Sequence, residues 1–133
     1  MNLSHRTWLA AALTASLAGC HHGPTAPSAD GGTLKEGLTV YARHATIGCK
    51  AKEDLETAAG FAKQGDKAGF FNYINGRCAA FDKPEAVKIA RIEQGTSEQL
   101  VLVKGLDEPS DPSQPSELWM RNTSLTVNKQ VQP

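Results

Sequence analysis

Histidine is scarce in these 133 residues: there are four, at positions 5, 21, 22 and 44. His44 alone falls within the segment that reads as a folded domain, too few for a histidine metal site, and no metal ligand set is expected. There is no Cys-x-x-Cys pair among the three cysteines, and no glycine-rich phosphate loop. Gly31-Gly32 lacks the lysine and the following helix such a loop needs. A catalytic set needs a nucleophile or acid, a base and a stabiliser of developing charge. With no assembled set visible, no catalytic residue, enzymatic activity or cofactor is expected. Glu53, Asp54 and Glu56 are close in sequence, but at the start of a helix such carboxylates complement the helix dipole. Charge of one sign is missing as well, with 14 Lys and Arg against 14 Asp and Glu. Without a basic stripe the electrostatic footprint of a nucleic-acid binder is absent, so nucleic acid is not an expected partner.

Long apolar runs are missing too. The longest, Trp8 to Ala18, is well short of the roughly 20 apolar residues that a membrane-spanning helix needs. It follows His5 and Arg6 and ends in the small residues Ala18 and Gly19. A positive segment, a short apolar core and a small-residue processing site form a secretory signal peptide. Leu17-Ala18-Gly19-Cys20 resembles the lipobox of bacterial lipoproteins. That resemblance implies thioether lipidation of Cys20, cleavage before it and acylation of the new amino terminus, palmitate being a usual acyl group. His21 follows Cys20 where an aspartate would imply inner-membrane retention, so the resemblance implies the outer membrane, facing the periplasm. The competing reading is an ordinary signal peptide with an incidental cysteine near its cleavage site.

These features divide the chain into a signal peptide (1–19), a lipid-anchored flexible tether (20–33) and a domain (34–128). The tether reading rests on the absence of apolar periodicity between His21 and Gly32 and on its Pro, Gly and small residues. Removal of 1–19 takes away only Arg6 among the charged residues. Giving Cys20 to lipid leaves Cys49 and Cys78, an even pair in an oxidising compartment, where a structural disulfide is expected.

Within the domain, Leu38, Val40 and Ala42 alternate as in a half-buried strand. From Lys52 to Gln64 the period changes, with Leu55, Ala58, Ala59 and Ala62 on one helical face. Gly65-Asp66 breaks that helix, and Asp66 is placed to cap a second one over Lys67 to Ile74, stopped by Asn75-Gly76. Strands follow at Cys78–Phe81, Ala86–Glu93, Leu100–Val103 and Glu117–Met120, with a short closing strand between Ser124 and Val127. Asp107 to Pro115 forms a long proline-punctuated loop.

The predicted class is α+β, mainly β with a helical insertion at about 52–75. The order of Gly48-Cys49, Glu53-Asp54-Leu55, Gly65-Asp66-Lys67, Gly76-Arg77-Cys78 and Leu118-Trp119-Met120 resembles small SH3-like barrel domains of exported bacterial proteins. In these, two helices interrupt the barrel after its first strand. The Asp107–Pro115 loop is longer than the turn that pattern usually has before its tryptophan. The resemblance implies architecture and no activity.

Tyr41 and Trp119 are candidate ligand-binding residues if they share a groove, as aromatics do in peptide recognition by SH3 folds. The alternative packs Trp119 against the helical hairpin. The expected function is a non-enzymatic, lipid-anchored periplasmic adaptor that engages an envelope protein or a peptidoglycan-associated peptide. An inhibitor, immunity or exclusion-type lipoprotein that blocks an enzyme or phage component is the alternative, with the acidic proline-rich loop as its inserted element.

Overall fold

Alternation along the strands becomes two faces of one curled sheet. A computed structural model describes residues 23–107, 112–113 and 115–129. In chain order they form β1 (Thr25–Pro27), β2 (Thr33–Lys35), β3 (Thr39–Ala42), β4 (Thr46–Cys49), α1 (Lys52–Lys63), α2 (Lys67–Ile74), β5 (Cys78–Phe81), β6 (Glu85–Gln94), β7 (Gln99–Gly105) and β8 (Glu117–Arg121). A 3-10 turn (Asn122–Ser124) then leads into β9 (Leu125–Thr126). The fold is mostly β with two helices, as the sequence predicts. A seven-stranded antiparallel sheet, ordered β5-β4-β8-β7-β6-β3-β9, curls into a half-barrel beside the β1–β2 hairpin. Val40, Val101, Met120 and Leu125 are fully buried on its concave side.

β6 shows how the alternation survives a long strand. Val87 and Ile89 face the core, and strict alternation would next turn Arg91 inward and Ile92 outward. The ladder instead shifts between Ile89 and Arg91, which pair with Val103 and Leu102. Ala90 is the extra residue of a bulge. It returns Ile92 to the core and leaves Arg91 exposed.

The principal correction concerns the tether. Residues 25–35 are part of the domain: β1 and β2 pair antiparallel, and Ala26 and Leu34 are buried in the half-barrel core. Composition hides this hairpin because each strand has three residues and one buried apolar side chain. Polar contacts tie it down. Gln99 Nε2 donates to the Thr25 carbonyl at 2.7 Å, and Asn122 Nδ2 donates to that of Pro27 at 2.8 Å. The Asp30 carboxylate accepts from the backbone N–H groups of Val127 (3.1 Å) and Asn128 (3.0 Å) and from the Ser28 hydroxyl. These bonds, the Ser28 hydroxyl foremost, hold the Asp30 carboxyl far below the usual carboxylate range.

A carboxylate with a depressed pKa stabilises the fold above its unfolded value, and that contribution is lost as pH falls toward the folded one. Asp30→Asn is therefore expected to lower the melting temperature at pH 7. The gap between variant and wild type should narrow progressively below about pH 4, the unfolded aspartate pKa. Thermal melts from pH 7 to pH 2 check this, and a gap that stays constant across the range refutes the Asp30 contribution.

Candidate functional site

Two helices are inserted between β4 and β5, and α1 forms one wall of a cleft beside the sheet. α1 begins at Ala51 without a side-chain cap, and Glu53 and Asp54 occupy its first turn, where they complement the helix dipole. α2 is capped as its sequence predicts: the Asp66 carboxylate accepts from Gly69 N–H at 2.8 Å. Gly76 takes a φ of 76° just past its end, a conformation that glycine adopts without strain. Tyr73 Oη donates to Asp54 Oδ1 at 2.8 Å, and the Phe61 and Tyr73 rings lie 5.6 Å apart. The helices thus form one hairpin.

That hairpin is fastened to the sheet in two ways. Cys49 and Cys78 are cross-strand partners of β4 and β5 and are joined by a disulfide, the pairing expected from the sequence. Leu55 of α1 is buried with Cys49 and Leu100, and Trp119 packs against the same cluster. Lys52 reaches over this junction. Its Nζ lies 5.8 Å from the centroid of the Trp119 ring and 2.8 Å from Glu93 Oε2. The hydrogen bond with Glu93 raises the Lys52 pKa, and the same bond lowers that of Glu93.

The Tyr41–Trp119 groove does not form. Tyr41 lies on β3 opposite Ala86 and Thr126, whereas Trp119 lies on β8 opposite Leu102 and Cys49. β7 and β6 stand between their strands, which at about 4.8 Å per strand separates the two positions by roughly 14 Å along the sheet. The helix-packing alternative holds for Trp119.

A concave surface lies elsewhere, between α1 and the β6–β7 loop. A cleft of about 480 Å³ has Leu55, Ala59 and Leu100 in its lining, together with the charged side chains of Lys63, Glu98 and Arg121. Glu56 also lines it, accepting at Oε1 from Thr96 N–H (3.2 Å) and the Thr96 hydroxyl (3.1 Å). Glu98 is paired with Arg121. The three acidic residues of α1 therefore do not converge: Asp54 bonds Tyr73 and Glu56 bonds Thr96. A second cavity, about 470 Å³, opens at the other end of β7, lined by Phe81, Val87, Val103 and Leu118 with Glu85 and Asp107.

Sequence reasoning missed the cleft. Leu55 and Ala59 at i and i+4 mark the α1 side of it, but Leu100 and Arg121 join only through the strand pairing. Among the described residues, no group of three His, Cys, Asp or Glu side chains is arranged to hold a metal ion, and no helix is long and apolar enough to cross a membrane. His44 is exposed in the turn between β3 and β4. Cys20, His21 and His22 lie outside the described residues, as do 108–111 and 114 of the proline-rich loop. Comparison of the chain with protein-family models, curated proteins and solved structures yields no match.

Proposed function

We propose that this protein is a non-enzymatic lipoprotein of the bacterial envelope, held to the periplasmic face of the outer membrane through Cys20, whose domain binds an envelope protein or peptidoglycan-associated peptide. The observation that carries the reading is the Cys49–Cys78 disulfide. It occupies both domain cysteines and suits an oxidising compartment. That leaves Cys20, at the end of Leu17-Ala18-Gly19-Cys20, as the odd thiol at a lipobox position. SH3-like architecture is part of the same proposal, supported by the curled sheet of short antiparallel strands; the two helices follow β4 and not, as in the pattern the sequence resembles, the first strand.

The binding face in this reading is the α1 cleft. Its apolar Leu55, Ala59 and Leu100 supply buried area, and Lys63 is placed to orient a carboxylate-bearing peptide, Arg121 being held by Glu98. A photoreactive amino acid placed at Ala59 is expected to crosslink in living cells to one dominant envelope component. The same group at Lys88, exposed on β6, should give no such product. Equal labelling from both positions, or none from Ala59, refutes the cleft as the binding face.

A further inference from the structure

The half-barrel is covered at one end of its sheet and open at the other. At β9 the edge is covered: Ala29 N–H donates to the Leu125 carbonyl at 2.8 Å, and the Asp30 carboxylate accepts from Val127 and Asn128 N–H. At the opposite end, β5 has β4 on one side and no strand on the other among the described residues. The ladder fixes which of its backbone groups are left over. Lys50 N–H donates to the Arg77 carbonyl at 3.0 Å, and the register sets Ala79 opposite Gly48 and Phe81 opposite Thr46. Hydrogen-bonded and non-hydrogen-bonded pairs alternate in an antiparallel ladder, so Arg77, Ala79 and Phe81 turn their backbone polar groups toward β4. Cys78 and Ala80 turn theirs outward, each presenting an N–H and a C=O along the free edge.

This edge lacks the usual protection. Proline, a charged side chain or a bulge commonly blunts an edge strand; Cys78-Ala79-Ala80-Phe81 has none of these, and Ala79 and Ala80 are both exposed. The second cavity runs along the same edge, for Ala79 and Ala80 both line it although their side chains leave β5 on opposite faces. Its apolar lining comes from Phe81, Val87, Val103 and Leu118. Leu106, 56 % exposed, lies in sequence between Gly105 and Asp107, which also line it. The charged side chains of the lining are Glu85 and Asp107, without a basic one, and neither carboxylate is ion-paired among the described residues. Nearby lysines do not offset them. Lys83 adjoins Asp82 in the β5–β6 turn, and Lys104 leaves β7 on the face opposite Val103, across from Glu117.

We infer that the free edge of β5 is a second binding surface, separate from the α1 cleft, which takes a basic, extended segment of a partner protein as an added strand. The segment's backbone pairs with the outward N–H and C=O groups of Cys78 and Ala80. Its apolar side chains fill the cavity against Phe81 and Leu118, and its lysine or arginine side chains meet Glu85 and Asp107, both exposed. Main-chain bonds then supply affinity, while the cavity and the two carboxylates select the sequence. Such a segment is opposite in charge to the carboxylate-bearing ligand of the cleft. The inference uses neither Cys20 nor the cleft and stands without them.

The test uses the full chain, isotope-labelled for NMR and held in a non-ionic detergent. The probe is a capped hexapeptide alternating Lys and Val; its controls carry Glu in place of Lys, or an N-methyl group on every residue. Before peptide is added, the amides of Cys78 and Ala80 are expected to exchange with solvent faster than those of Ala79 and Phe81, which face β4. Saturating peptide should slow exchange at Cys78 and Ala80 by about tenfold or more. Both control peptides should bind at least about tenfold more weakly, as should the Lys peptide to E85Q/D107N. Ala80→Pro removes an outward N–H and leaves the β4 ladder whole, the setting in which an edge strand tolerates proline, and should abolish protection at Cys78. Equal binding of the Lys and Glu peptides, or unchanged binding to E85Q/D107N, refutes the carboxylate contact. An N-methylated peptide that binds as tightly as its parent refutes strand addition. Peptide that binds without slowing exchange at Cys78 and Ala80, or no binding at millimolar peptide, overturns the site.

Discussion

Cys20→Ser is expected to move the protein from the membrane fraction to the soluble or precursor fraction and to abolish incorporation of labelled palmitate. The size of the effect follows from the chemistry of the proposed anchor. Each buried methylene contributes about 0.8 kcal/mol, and two or more acyl chains hold a protein stably where a single short one does not. Serine has no thiol to form the thioether, so lipidation and the cleavage that depends on it fail together. The retained apolar run, Trp8 to Ala18, is too short to span a bilayer and cannot replace the acyl chains. Alkaline washing of membranes separates the cases: the wild type stays with the lipid, and the variant is extracted. Wild-type protein that washes off, or a Cys20→Ser variant that still takes up palmitate, would falsify the anchor.

How far the sequence could be read depended on the length of each regular segment. α1 and α2 were legible because Leu55, Ala58, Ala59 and Ala62 repeat at helical spacing and Gly65-Asp66 both stops one helix and caps the next. β6 was legible as a strand, but the bulge at Ala90 was not, because either inward choice after Ile89 is compatible with an apolar residue nearby. β4 was missed. Thr46-Ile47-Gly48-Cys49 has no alternation, and its glycine looks like a loop residue. The structure gives that glycine a packing reason, since a Cβ at position 48 would come within 3.0 Å of Leu118 Cβ.

The β1–β2 hairpin was illegible for a related reason: Ala26 and Leu34 are single buried side chains in three-residue strands, and Pro, Ser and Gly surround them. Its stability comes from partners distant in sequence, Gln99, Asn122, Val127 and Asn128. The site suffered in the same way. Tyr41 and Trp119 are the aromatics that composition brings forward, and only the strand order reveals that two strands separate them. Trp119 belongs to the helix–sheet junction, whose stability depends on the disulfide.

Removing that disulfide in Cys49→Ala/Cys78→Ala is expected to lower unfolding stability by about 3–4 kcal/mol, from the loop-closure entropy of a cross-link across 29 residues. For a domain of this size, which has roughly 5–15 kcal/mol in total, each 1 kcal/mol moves the melting temperature by about 4–8 °C. The shift should therefore reach roughly 12–32 °C. The loss falls first on the edge of the sheet. Among the described residues β5 pairs only with β4, and without the cross-link that four-residue strand is held mainly by its ladder and Phe81. The helical hairpin then keeps one firm attachment, Leu55 against Leu100 and Trp119. Because Cys49 is the cross-strand neighbour of Trp119, the tryptophan reports the same event from within. Its emission should redshift at a lower denaturant concentration than in the wild type, and dithiothreitol should reproduce the double variant. A fall of only a few degrees, with an unchanged tryptophan transition, would mean that the helices are held by the Leu55 cluster alone. The disulfide would then cross-link β4 and β5 without supporting the cleft wall.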